Sequence, residues 1–207
     1  MTNLRAEYER RHREVLQPLA LLLEGQIKEY LDGEPRVDRV QARAKSVDRF
    51  LEKASKIEDD RPKYDEPLTQ IQDQVGARIV TFYLADVERI SAVVGKLFRP
   101  IETRLLVPES PWAFGYFGLH WVFHIPNELT DAWDQSLVPD FFELQIKTLF
   151  QHAWSEANHD LGYKPPRDLT TEEQRNFAFT SAQAWGADRV FNDLHRSLGS
   201  QEGPMRR

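Results

Sequence analysis

Two segments far apart in the chain alternate strictly between polar and apolar side chains, and this alternation constrains the fold most strongly. From Arg39 to Lys45 the polar positions are mostly basic, whereas from Phe142 to Thr148 they are occupied by Glu143, Gln145 and Lys147. Side chains along a strand point alternately to opposite faces of a sheet. Each segment therefore predicts a strand with one apolar face and one face able to carry chemistry.

The rest of the chain predicts helices interleaved with further strands. The remaining strands are expected at 77–83, 101–107 and 119–125, and helices at 46–57, 68–74, 87–98 and 149–161. Asp86 is predicted to cap the helix at 87–98, and residues 58–66 are predicted to form an exposed loop. The fold class is therefore α+β, with a mixed sheet of about five strands flanked by helices.

Helical extensions are predicted at both ends of this sheet. At 4–31 apolar residues recur every three or four positions, and Pro18 should kink or divide the helix. At 171–198 Thr170 and Glu173 have the spacing of a capping box. We expect one domain over residues 1–198 with its core at 37–164, and a disordered tail at 199–207.

Composition limits the kinds of site that the chain can carry. It has no cysteine, which excludes disulfides, thiolate nucleophiles and cysteine-ligated zinc. The net charge of −6 disfavours a general attraction to nucleic acid or anionic lipid, so a bound anion must meet a local basic cluster. The longest apolar run, Leu19 to Leu23, is too short to span a membrane, and the N-terminus shows no targeting pattern. A cytoplasmic protein is expected.

Basic residues at the end of the first strand suggest a phosphate site. Arg43 and Lys45 would lie roughly 7 Å apart on one face, where they could bind neighbouring phosphates of one polyphosphate. Lys53, on the following helix, could close the same site. The alternative is a solvated strand face without a ligand.

Carboxylates near two strands suggest a metal site. Asp73 precedes the strand at 77–83, and a carboxylate there could hold Mg²⁺ together with substrate phosphates. Glu143 shares a strand face with Gln145 and Lys147, which could form the floor of a site. Taken alone, Asp73 is better explained by a helix cap or an ion pair with Arg78, and a half-exposed edge strand would explain the other three.

Two further groups of polar and aromatic residues carry competing interpretations. Tyr116 could stack on a nucleobase and His120 could bind a phosphate or hydroxyl, or both could simply fill the margin of the sheet. His152, Glu156 and His159 fall on one helix face but do not have the zincin spacing. We interpret that face as one that orients the active site rather than as a zinc site.

Together these segments resemble the synthetase domain of the RelA/SpoT family, and in particular the stand-alone small alarmone synthetases. The resemblance covers about residues 37–164, and its last block is the most specific. It is carried by four blocks in the family's order: Arg43-Ala44-Lys45-Ser46 with Phe50-Leu51-Glu52-Lys53; Asp73-Gln74-Val75-Gly76-Ala77-Arg78-Ile79-Val80; Gly115-Tyr116 with His120; and Glu143-Leu144-Gln145-Ile146-Lys147-Thr148 with His152-Ala153-Trp154 and His159-Asp160-Leu161-Gly162-Tyr163-Lys164.

The resemblance implies a mixed sheet related to nucleotidyltransferases and a Mg²⁺-dependent reaction between two nucleotides. The β,γ-pyrophosphate of ATP would pass to the ribose 3′-hydroxyl of GDP or GTP and so produce ppGpp or pppGpp. Arg43 and Arg78 would sandwich the adenine of ATP. The triphosphate would be held by Lys45, Ser46 and Lys53. Small members of the family are often homo-oligomers, so a homo-oligomer is expected.

The same resemblance implies roles for the acidic and acceptor-side residues. Asp73 would bind Mg²⁺, and Glu143 would be a second metal ligand or the group that activates the 3′-hydroxyl. Tyr116 would stack on the acceptor base. The acceptor's sugar and phosphates would be surrounded by His120, Gln145 and Lys147.

The acceptor half departs from the family's pattern. Phe117-Gly118 stands where Arg-Ser is usual, Pro111-Trp112-Ala113-Phe114 stands where basic residues are usual, and Lys147 replaces an arginine. Two alternatives therefore stay open: a toxic small synthetase that modifies an adenine nucleotide or the 3′ end of transfer RNA, and a degenerate nucleotide-binding interaction module. Transfer RNA would need a basic track, for which Arg10, Arg11 and Arg13 are the candidates.

Overall fold

The structure is a computed structural model that describes residues 2–110, 113–115, 117–162, 165 and 167–199. The stacking role of Tyr116 and the disordered tail predicted beyond Gly199 fall outside the described residues. Among the residues that are described, no helix combines the length and the apolar character needed to cross a membrane.

A mixed five-stranded sheet lies at the centre of the molecule, with the strand order β1-β4-β7-β6-β5. Within it β4 and β7 are parallel and the other neighbours are antiparallel, which confirms the predicted fold class. The short strands β2 and β3 form a separate hairpin within the predicted loop. In chain order the strands are β1 (Val37–Ala44), β2 (Ile57–Glu58), β3 (Arg61–Pro62), β4 (Val75–Thr81), β5 (Pro100–Leu106), β6 (Gly118–His124) and β7 (Phe141–Thr148).

Helices flank the sheet and extend the chain at both ends. A π-helical turn, His12–Leu16, joins the first two helices without interrupting them. Pro18 follows it and has no N–H to give to the preceding turn, which explains the local change of helical register. The helices are α1 (Thr2–Arg11), α2 (Gln17–Tyr30), α3 (Val47–Ala54), α4 (Pro67–Gln70), α5 (Leu84–Leu97), α6 (Leu149–Gly162) and α7 (Thr171–Gly199).

The helix starts test two of the predicted caps. The capping box of α7 is confirmed, because Thr170 Oγ1 accepts the Glu173 N–H at 3.2 Å and the Glu173 carboxylate accepts the Thr170 N–H at 2.8 Å. The predicted cap at Asp86 is wrong, because α5 begins one turn earlier with Tyr83 as its N-cap. Asp86 instead accepts the Tyr83 N–H at 3.2 Å from inside the first turn.

The two faces of the sheet have different environments. The back face carries Ile79, Leu144 and Ile146, all fully buried against α2 and α5. Burying a side chain of this size contributes about 1.5–3 kcal/mol, so this layer forms much of the core. The front face carries the polar members of β1, β4 and β7. Strand alternation therefore separates the hydrophobic core from a face that is free for chemistry.

Candidate active site

Strand register brings the predicted polar residues together on the front face. Arg43 on β1 pairs with Gly76 on β4, and Gly76 pairs with Glu143 on β7. In the next row Arg78 pairs with Gln145, which pairs with His120 on β6. A Cβ added to Gly76 would meet only open space. The missing side chain there leaves room between the Arg43 and Glu143 positions.

A cavity of about 570 Å³ lies over this face. It is lined by seven of the predicted site residues, namely Arg43, Lys45, Ser46, Asp73, Arg78, Glu143 and Gln145. Arg49 and Glu156 also line it, although neither was predicted to bind a ligand. The basic strand and the two carboxylates therefore share one concave site.

Asp73 is the centre of an ion-pair cluster in this cavity. Its Oδ2 lies 2.9 Å from Lys45 Nζ, and its Oδ1 accepts a hydrogen bond from Lys53 Nζ at 3.0 Å. Lys45 follows β1 and Lys53 lies on α3, so three separate segments converge on one carboxylate. The two lysines outnumber the carboxylate, which leaves this end of the cavity positively charged.

The N-terminal helix positions this cluster, a role that the sequence did not predict. The Tyr8 hydroxyl donates to the Lys45 carbonyl at 2.8 Å, and its ring stacks on Phe50 at 3.7 Å. Arg11 is buried and donates to Gln74 Oε1 at 3.1 Å, next to Asp73. Its guanidinium also bonds the carbonyls of residues 68 and 136 at 2.7 and 3.1 Å. No local motif signals these contacts, because their partners lie 37 to 125 residues away.

Glu143 is held in its ionised form by its neighbours. Burial alone would raise its pKa, but hydrogen bonding and charge from His120, with help from Gln145 and Lys53, lower it to about 2. His120 Nδ1 lies 3.3 Å from the carboxylate, and Gln145 Nε2 donates to it at 2.6 Å. Glu143 is therefore an anion throughout the neutral range.

One face of α6 holds Arg78. The Arg78 guanidinium lies 3.2 Å from His152 Nδ1 and donates to Glu156 Oε1 at 2.7 Å. Burial and the charge of Arg78 lower the pKa of His152. Across the described part of the chain, no three His, Cys, Asp or Glu side chains are grouped to hold a metal ion. Two of the residues considered for zinc thus position an arginine of the cavity.

Two basic residues stand apart from the cavity wall. Lys147 is 3 % exposed and donates to Ser155 Oγ at 3.2 Å, and burial followed by the charge of Arg78 lowers its pKa to about 8. Its role toward an acceptor stays a prediction. Arg104 on β5 lies opposite His120 in the strand register, so its side chain is also on the front face. The polar alternation of residues 102 and 104 was the signal that could have revealed it.

A family model described as a region found in RelA/SpoT proteins matches residues 42–168, more than half of the chain. The chain belongs to the RelA/SpoT family. The matched range contains all the front-face residues described above, whereas Tyr8 and Arg11 precede it. The family assignment that the four sequence blocks implied is confirmed.

Proteins similar to this RelA/SpoT chain include named synthetases. GTP pyrophosphokinase YjbM of Bacillus subtilis is 27 % identical over 203 residues, covering 95 % of this chain and 90 % of that protein. The crystal structure of small alarmone synthetase 1 from Bacillus subtilis has a TM-score of 0.72 and 24 % identity, covering 93 % of this chain and 98 % of that one. A GTP pyrophosphokinase family protein from Streptococcus pneumoniae has the same TM-score of 0.72 at 20 % identity, with 98 % of each chain covered. The predicted fold is confirmed by these neighbours.

Proposed function

We propose that this protein is an alarmone synthetase that transfers the β,γ-pyrophosphate of ATP to the ribose 3′-hydroxyl of GDP or GTP. The observation that carries the proposal is the single cavity in which Arg43, Lys45 and Arg78 face Asp73 and Glu143. A relative named GTP pyrophosphokinase and a small alarmone synthetase with its product pppGpp bound support the same reaction. The products would be ppGpp and pppGpp.

The basic side of the cavity suits ATP as the donor. Burial, followed by the charges of Arg78 and Arg49, lowers the pKa of Arg43, so several cations lie close together on this side of the cavity. A flat adenine between Arg43 and Arg78 would separate these like charges and stack on both. Lys45, Ser46 and Lys53 would bind the triphosphate, whose charge would then compete with Asp73 for the two lysines.

The two carboxylates suit Mg²⁺. Magnesium prefers oxygen ligands and typically takes one or two carboxylates, completing its shell with water and substrate phosphates. Asp73 and Glu143 supply that donor set and line one cavity. Bound there, the ion would neutralise charge on the transferred pyrophosphate. The pKa of about 2 makes Glu143 a weak base, which favours metal binding over proton removal from the 3′-hydroxyl.

The acceptor would lie toward β6 and β5. His120 and Gln145 are the front-face side chains there, and Arg104 lies beside them, where its guanidinium donates to the Glu102 carboxylate at 2.8 Å and could exchange this partner for an acceptor phosphate. Positioning and neutralisation account for the chemistry, because pyrophosphoryl transfer between oxygens needs in-line geometry rather than a covalent intermediate.

The arginines near the N-terminus give little support to transfer RNA as the acceptor. Arg10 and Arg13 both donate to Glu14, at 3.0 and 2.9 Å. Arg11 is buried. Arg10 also lies 3.7 Å from an Asp134 oxygen, so two carboxylates offset the two exposed arginines, and a polyanion would find little net positive charge along this run.

The test is to incubate the purified protein with γ-labelled ATP and Mg²⁺ and, separately, GDP, GTP, GMP, ADP, ATP and deacylated transfer RNA. Label should appear on GDP or GTP. Label on adenine nucleotides or transfer RNA alone would replace the proposed acceptor. The absence of label on every acceptor would overturn the enzymatic proposal and favour a nucleotide-binding interaction module.

A matched pair of variants tests the cavity itself. Asp73→Asn should keep its fold but lose transfer by at least a factor of about 100, since it removes the charge that would bind the metal. Asp131→Asn, at an exposed position, should keep normal activity. Retained turnover in Asp73→Asn would refute the role proposed for Asp73.

We also propose that the protein self-associates through α7. Three apolar side chains of this helix are more than half exposed: Phe179 at 62 %, Val190 at 59 % and Leu198 at 66 %. Such a stripe on one long helix is typical of a contact surface. Analytical ultracentrifugation should show an oligomer that Phe179→Glu weakens, and a monomer at all concentrations would contradict the proposal.

A further inference from the structure

A second large cavity lies on the back face of the sheet, away from the Asp73 cluster. Its volume is about 640 Å³, within the range typical of small-molecule sites. Leu105 of β5 and Leu119 of β6 line it, and both point away from the face that carries His120. Residues of α5 and α7 close it from the other side. The sheet therefore separates this cavity from the candidate active site.

The walls of this back cavity are mainly apolar and partly aromatic. Trp154 and Trp185 contribute indole rings, and Phe117 contributes a phenyl ring. Leu84 and Val87 of α5 add aliphatic surface. Such walls favour a flat apolar ligand, because ring stacking and burial of apolar area act together.

Asp188 places a carboxylate among these walls. It is 3 % exposed, and its Oδ2 accepts the Thr148 hydroxyl at 2.8 Å. Its Oδ1 is buried, and within the described residues no group donates to it. A buried carboxylate oxygen without a donor is costly, so a ligand that brings an N–H donor would gain the most here.

The charges around the cavity favour a cation over an anion. Glu88 lines it as a second acid, and Arg189 is its only charged base among the described lining residues. The Arg189 guanidinium lies over the Trp185 ring at 4.9 Å, so part of its charge faces an aromatic surface. Glu88 is mostly exposed and lies 3.9 Å from Arg196, so the preference for a cation rests on the buried Asp188.

We propose that the back cavity binds a small aromatic amine, with its ring between the aromatic walls and its ammonium group toward the Asp188 carboxylate. The hydrogen bond from the ammonium group would be charge-assisted, and it would give the Asp188 carboxylate a second donor besides the Thr148 hydroxyl. The occupant would also touch Gly115 and Phe117, which precede β6. Ser181 of α7 donates to the Gly115 carbonyl at 2.6 Å, so the same helix holds both the cavity and that loop.

The experiment compares tryptamine with tryptophol, which carries a neutral hydroxyl in place of the ammonium group. Calorimetric titration at pH 7.5 should show tryptamine binding at least tenfold more tightly. Asp188→Asn should remove this preference, whereas Asp193→Asn, at an exposed position on the same helix, should keep it. In ¹⁵N spectra the indole N–H signals of Trp154 and Trp185 should shift on binding.

Three results would overturn the proposal. The first is equal affinity for tryptamine and tryptophol, and the second is a preference that survives in Asp188→Asn. The third is no binding of tryptamine at millimolar concentration. None of these readouts depends on catalysis, so they test the back cavity independently of the proposed synthetase activity.

Discussion

Replacing Asp188 with asparagine should stabilise the protein, and the gain should grow with pH. Burial raises the pKa of this carboxyl from 3.8 to about 6, although the Thr148 hydrogen bond acts in the opposite direction. Between these two pH values the unfolded chain ionises before the folded one. Folding then takes up a proton, so this group makes the folded state less stable as the pH rises.

The magnitude follows from the two pKa values. Each tenfold change in proton affinity corresponds to about 1.4 kcal/mol, so the rise from 3.8 to about 6 costs about 3 kcal/mol once both states are ionised. Asparagine can accept the same Thr148 hydroxyl but carries no charge to bury. We expect Asp188→Asn to be more stable than the parent protein by about 1 kcal/mol at pH 4.5 and about 3 kcal/mol at pH 7.5.

Urea unfolding followed by far-ultraviolet circular dichroism at these two pH values measures the difference directly. Asp193→Asn is the control, because its side chain is exposed on the same helix and its replacement should change the free energy of unfolding by less than about 0.5 kcal/mol. A stability difference that does not vary with pH, or a loss of stability at pH 7.5, would refute the reasoning.

Three other changes test the N-terminal helix and the acceptor side. Tyr8→Phe keeps its stack on Phe50 but leaves the Lys45 carbonyl without its donor, so urea unfolding should show a loss of about 1–3 kcal/mol. Arg11→Lys keeps the charge but loses the planar fork that reaches three acceptors, so a buried acceptor is left without its donor and the change should cost about 1–3 kcal/mol by the same measurement. Arg104→Gln should raise KM for the acceptor nucleotide several-fold in steady-state assays; an equal rise in KM for ATP would contradict its placement.

Much of the sheet could be predicted from the sequence because alternation is a local property. The polar faces of β1 and β7 followed from residue spacing alone. The register of each strand with β4, which lies between them, puts both polar faces on the same side of the sheet. The ends of helices were harder to predict, because several neighbouring residues have side chains that could act as the cap. The start of α5 shows this, since Asp86 has the chemistry of a cap but acts inside the first turn.

The sequence predicted which residues form the candidate site but not which residues hold them in place. The four sequence blocks named Asp73 and Glu143, and the structure brings both to one cavity. The sequence did not reveal that Arg11 supports the segment next to Asp73, because its bonded partners lie at least 57 residues away. Periodicity within a segment carries no information about contacts across such distances.

The sequence by itself determined which residue types could act together and, through strand periodicity, which of them would share a face. The tertiary structure decided their electrostatic state. Lys45 and Lys53 form ion pairs with Asp73, and Asp188 becomes buried from solvent, only after distant segments pack together. The direction of a side chain is set by its own strand or helix, whereas its partners and its solvation are set by whatever the rest of the chain places beside it.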